Sequence, residues 1–144
     1  MKGAYFDSAY LMKLYIPHAD SGKVWALIRP MDSVYSSALC VAEVSCAFHR
    51  AAREGAVTHA QAASLRAVFS DDVSSGLIQL IPISEKILRS VEAVTARLPS
   101  TIFLRAGDAI HLATAQSEGF SDVWSNDRHM LKAAPHFGVT GSSV

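Results

Sequence analysis

Leu77-Ile78-Gln79-Leu80-Ile81-Pro82-Ile83 is the stretch whose reading decides the fold. It is apolar, partly β-branched and preceded by Gly76, so it reads as a buried strand over residues 77–83. Ser84 caps a helix that runs to Leu98, where Pro99 stops it. Upstream, Thr58 and Gln61 form a capping box that opens a helix expected to end near Asp72. Before that, Ser37 caps a helix to about Glu54, with Gly55 closing it. Ser33-Val34-Tyr35-Ser36 and Gly3-Ala4-Tyr5-Phe6 read as two further strands. Short helices are expected over Ser8–Tyr15, before Pro17, and from an Asp20 or Ser21 cap to Ile28. Downstream, residues 100–105 connect to an apolar helix over Ala106–Glu118. Asp122–Ser125 is a fourth strand, His129–Ala134 one or two helical turns, Phe137–Thr140 an edge strand and the rest a polar tail. Strands alternating with helices predict a three-layer α/β/α sandwich around a mostly parallel sheet. One domain over residues 1–144 is the expectation from length and from the lack of any linker or repeat.

Composition narrows the function. Of 144 residues, half are hydrophobic and 18% are charged, enough for a core and against disorder. The 22 alanines favour helix. Thirteen basic and thirteen acidic residues cancel, so binding nucleic acid or membrane by bulk charge is excluded. Cys40 and Cys46 lie nearly two helical turns apart, too far to bridge, and read as reduced, buried thiols of a cytoplasmic protein. No signal-peptide core stands out, and no apolar run approaches the ~18 residues that span a bilayer.

Four carboxylates stand apart from the others. Asp7 ends the first strand and is the only charge between Lys2 and Lys13. Glu43 is the only charge from Ser33 to Phe48, with Leu39, Cys40, Cys46 and Ala47 as its helical neighbours. Asp108 sits in the first turn of a helix that is apolar nearly all round. Asp127 follows the last good strand. Each has a bland alternative: an N-cap for Asp7, a solvent-facing side chain for Glu43, an Arg105-paired cap for Asp108 and a turn residue for Asp127. His111, one turn beyond Asp108, is either that acid's partner in a metal pair or a satisfied structural histidine. A parallel topology brings all four acids to the carboxyl rim of the sheet, where such folds bind ligands. Gathered there, they repel one another and phosphate alike, and a hard divalent cation resolves both conflicts.

Tyr5-Phe6-Asp7-Ser8, Glu43 within Ser37-Ala38-Leu39-Cys40-Val41-Ala42-Glu43-Val44, Asp108-Ala109-Ile110-His111-Leu112-Ala113-Thr114-Ala115 and Ser125-Asn126-Asp127 together resemble the PIN domain, and more closely the VapC-type toxins of bacterial toxin–antitoxin pairs. The resemblance covers nearly the whole chain. It implies a metal-dependent endoribonuclease in which Asp7, Glu43, Asp108 and Asp127 hold Mg2+ or Mn2+. Ser125, where the family usually has Thr, and Ser8 would orient carboxylates and water. Asn126 belongs with them or is a turn residue. Arg50, Arg53, Arg105, Arg128 and Lys132 are candidate RNA contacts, or simply solvated side chains. The family also implies a homodimer and a cognate VapB-type antitoxin, with the helices around 38–52 and 60–69 either lining its groove or serving only as core. A non-hydrolytic RNA- or protein-binding module is the alternative. A phosphoryl-accepting or dehalogenase-like pocket wants a second acid beside Asp7, and Ser8 and Ala9 stand there. Phosphate-loop, His-Glu-x-x-His and Gly-x-Ser-x-Gly motifs are absent.

Overall fold

The computed structural model describes residues 3–144. Their order is β1 Gly3–Phe6, α1 Ser8–Met12, α2 Ser21–Ile28, β2 Ser33–Ser37, α3 Cys40–Arg53, α4 His59–Ser75, β3 Ile78–Ile81, α5 Glu85–Thr95, α6 Ala106–Ser117, β4 Asp122–Trp124, α7 Arg128–Ala133, a 3-10 turn Ala134–Phe137 and β5 Thr140–Ser142. The strands form one sheet in the order β3-β2-β1-β4-β5, and every pairing is parallel. Successive side chains of a strand point to opposite faces. Tyr5 therefore enters a core with Ile87, Val94, Leu112 and Val123, while Ala4 and Phe6 enter the opposite one with Leu11, Val24, Val44 and Phe48. The expected three-layer sandwich is what these two cores make.

β1 pairs with β2 on one side and β4 on the other, so the chain reverses its direction of growth there. In parallel sheets that switch point opens a crevice at the carboxyl ends of the strands. Close approach at the other end of β1 needs Gly3: a Cβ there would lie 2.4 Å from the Ser33 carbonyl oxygen.

The structure moves several boundaries. Ser37 stays in β2, paired with Ile81, and its hydroxyl accepts from Leu39 N–H in a local turn, so α3 begins at Cys40. α4 runs past Asp72, which accepts the Tyr15 hydroxyl at 2.7 Å, and ends only where Gly76 adopts φ +85°. β3 occupies only Ile78–Ile81, α1 tightens into turns after Met12, and α5 stops at Thr95. The expected edge strand at Phe137–Thr140 is a correction: Pro135 starts a 3-10 turn that Gly138 closes at φ +74°. The fifth strand is Thr140–Ser142, displaced toward the tail and sharing only Thr140 with the expected one, because Gly141 lets the backbone pass against Leu131. Cys40 is buried, and burial pushes its thiol up to about 11. Cys46 is exposed, contrary to expectation, and both thiols are free. Among the described residues no helix is long and apolar enough to cross a membrane.

Candidate active site

Phe6 pairs with Trp124 at the last register of β1 and β4. The next residues on each strand, Asp7 and Ser125, are therefore neighbours at the crevice. Ser125 Oγ donates to Asp7 Oδ2 at 2.5 Å, and Asp7 Oδ1 accepts from Tyr10 N–H at 2.8 Å. Asp7 is thus both the N-cap of α1 and a wall of the pocket, and the two sequence readings of it coincide. Asp127 repeats the pattern at α7, where its Oδ1 accepts from His129 N–H at 2.8 Å and Met130 N–H at 3.4 Å. Its own N–H donates to Ser125 Oγ at 3.0 Å, so one buried hydroxyl ties two of the acids together.

Glu43 arrives from the first turn of α3 and is partly exposed. Ser8 Oγ donates to its Oε1 at 2.6 Å, and His111 Nε2 lies 2.7 Å from the same oxygen. A carboxylate only accepts, so Nε2 carries the proton. Nδ1 of the same ring lies 2.8 Å from the Tyr5 hydroxyl oxygen, which accepts from Ser37 N–H at 3.0 Å. His111, only 1% exposed, is structural and partners Glu43 rather than Asp108. Asp108, from the first turn of α6, is met by Arg105 Nε at 3.4 Å, and a terminal nitrogen of the same guanidinium lies 3.0 Å from Asp127 Oδ2.

Asp7, Glu43, Asp108 and Asp127 line one cavity of about 490 Å3, together with Ser8, Arg50, Arg105 and His111. Their protonation differs by environment. Burial raises the pKa of Asp7 against its hydrogen bonds from Ser125 and Tyr10. Burial likewise raises Asp108, outweighing Arg105. At Glu43 burial pulls upward too, but the bonds from His111 and Ser8 together win and lower it. The donor set is all oxygen, and two members are carboxylates short of counter-charge, which fits a hard divalent cation. As placed, no three Asp, Glu, His or Cys side chains among the described residues converge closely enough to cage one.

The remaining sequence candidates divide. Ser8 and Ser125 touch the acids. Asn126 does not: its side chain accepts from Lys13, outside the acid pocket. Arg50 and Arg105 line the pocket, whereas Arg53 pairs with Glu54 at 3.7 Å and Arg128 and Lys132 are exposed outside its lining. Phe48 and Phe69 are core, packed edge-on to Tyr15, and they also line a cavity of about 290 Å3 between α3 and α4. Sequence reasoning passed over Tyr5 and Lys13. A tyrosine inside an apolar strand carries a hydroxyl that must find a partner when buried, and that signal was available. Lys13 is buried and bridges Asp20, at 2.9 Å, to Asn126 in a second cavity sharing Ala9, Met12, Ala47 and Arg50 with the first. Nothing local in the sequence marks it.

The chain matches the PIN domain family over residues 4–135. No curated protein matches it significantly. Among solved structures it is similar to VapBC2 from Rickettsia felis bound to a DNA fragment from their promoter, at 13% identity and a TM-score of 0.71, covering 98% of each chain. It is also similar to FitAcB from Neisseria gonorrhoeae, at 15% identity and a TM-score of 0.68, covering 96% of this chain and 95% of that one. A toxin–antitoxin complex from Klebsiella pneumoniae matches at 20% identity and a TM-score of 0.62, covering 98% and 95%. At these identities the likeness is one of fold.

Proposed function

This chain belongs to the PIN domain family, and from that premise we propose that it is a divalent-metal-dependent endoribonuclease, the VapC-type toxin of a toxin–antitoxin pair. One observation carries the reading: four carboxylates from four separate elements wall a single cavity at the switch point of the sheet. Asp7, Glu43, Asp108 and Asp127 are the residues that would hold Mg2+ or Mn2+. When bound, the ion supplies a water of lowered pKa and neutralises charge on the phosphoryl oxygens.

The protein's own groups do the rest. Hydrolysis joins a water oxygen to phosphorus and breaks the bond to a ribose oxygen; the water loses one proton and the ribose oxygen gains one. Asp7 and Glu43 are pinned by Ser125, Ser8 and His111, so their oxygens need little reorganisation. Arg50 and Arg105 give an incoming RNA phosphate its positive contacts. With so few of them, and zero net charge, affinity for RNA should fall only modestly with salt.

A VapB-type antitoxin is a proposed partner, in keeping with the toxin–antitoxin complex among its structural neighbours, and a second copy of the chain is proposed from the family resemblance alone. The alternative, a non-hydrolytic RNA- or protein-binding module, has one specific point in its favour: no ready-made metal cage among the described residues. RNA cleavage by the antitoxin-free protein with Mg2+, Mn2+ or EDTA decides between them. Cleavage should require metal and fall at least about a hundredfold in Asp7→Asn and Asp108→Asn. Undiminished cleavage in either folded variant would sink the assignment, and metal binding without cleavage of any RNA would favour the binding module.

A further inference from the structure

The Asp108–Asp127 side of the pocket already contains a cation. Arg105 reaches Asp108 Oδ2 with Nε at 3.4 Å and Asp127 Oδ2 with a terminal nitrogen at 3.0 Å. At Asp127 it takes the oxygen left over from local structure, since Oδ1 is spent on the cap of α7. Arg105 itself precedes α6 without a side-chain cap bond, so in that helix its guanidinium is engaged only by Asp108. The side chain is 61% exposed, with its guanidinium carbon 5.9 Å from the centre of the Phe103 ring.

A planar fork of donors is suited to spanning two carboxylates, and it relieves the repulsion between them without any metal. A hard divalent ion would need the same oxygens. Guanidinium and metal therefore compete for one place. An ion pair this exposed is weak, so the exchange is easy. We propose that Arg105 is the resident counterion of the Asp108–Asp127 half of the site, and that a divalent ion enters by displacing it. The displaced guanidinium stays at the pocket mouth, where an anionic substrate arrives. The inference rests on the carboxylate–metal reading above.

Mn2+ titration followed by the electron paramagnetic resonance of the free ion tests it without any RNA. Wild type, Arg105→Ala and Arg105→Lys are compared, with circular dichroism as the check on folding. Removing a positive charge at this range should tighten Mn2+ binding about tenfold in Arg105→Ala. Arg105→Lys keeps the charge but not the fork, and should fall between the two. If wild type binds Mn2+ and Arg105→Ala binds it equally or more weakly, the exchange is wrong and the metal reading survives. If neither protein binds Mn2+, the metal reading falls and takes this inference with it.

Discussion

The two halves of the acid pocket carry the same functional group and are held by opposite means. Asp7 and Glu43 are held by hydrogen bonds: a serine to Asp7, a serine and a buried histidine to Glu43, with Tyr5 behind the histidine. Asp108 and Asp127 are bridged by a largely exposed arginine. The first arrangement fixes geometry because its donors, Ser8, His111 and Ser125, are themselves buried. The second leaves geometry adjustable, because an exposed ion pair is screened and weak. A metal site needs both properties, some ligands that do not move and some that can close around an ion. Ser125 links the halves by donating to Asp7 and accepting from the Asp127 N–H.

The sharpest way to break this contrast is to remove one support from each side. His111→Ala takes away a buried ring and strands the Tyr5 hydroxyl, and should cost roughly 2–4 kcal/mol of stability. Arg105→Ala in the same urea denaturation should cost less than about 1 kcal/mol. Equal losses would show that the halves are not held differently. Ser125→Ala tests the link: it should weaken Mn2+ binding by about 10–100-fold, as loss of a carboxylate-orienting partner does elsewhere. Unchanged affinity by calorimetric titration would make the hydroxyl merely structural.

The smallest effects are the pH signatures of the hydrogen-bonded half, and they have opposite signs. Asp7 has a raised pKa in the fold, so the metal-free protein binds its proton more tightly than the unfolded chain does. Its stabilising contribution is complete below the ordinary Asp value of 3.8 and is lost as pH rises through the folded value. Asp7→Asn, which keeps an N-cap oxygen, should therefore raise the neutral-pH denaturation midpoint. Glu43 is lowered in the fold, so its contribution is present above 4.5 and is lost as pH falls through the folded value. Glu43→Gln should lower the midpoint at neutral pH and flatten its fall in acid. Melting curves of the metal-free proteins across pH 3–8 check both, and a shared sign would refute the wiring as drawn.

Much of this molecule was legible in its sequence. The strand at Ile78–Ile81, the capping box at Thr58 and Gln61, the αL glycines Gly55, Gly76 and Gly119 and the sandwich itself follow from apolar periodicity and turn chemistry. These are local properties, readable wherever side-chain pattern and backbone preference agree. The four acids were also legible, because an isolated carboxylate in an apolar surrounding needs a reason. What sequence could not decide was their company. The Asp7–Ser125 contact exists because β1 and β4 pair in parallel with Phe6 opposite Trp124, a register joining residues far apart in the chain. His111 serves Glu43 and not its helical neighbour Asp108 because α3 and α6 meet across the carboxyl edge of the sheet. The fifth strand was expected too early, at Phe137–Thr140, for the same reason: Thr140-Gly141-Ser142 has little strand preference, and pairing with β4 alone makes it one. Sequence determined which residues were costly to bury, and tertiary structure decided which partner compensates each, since long-range pairing depends on topology and not on spacing along the chain.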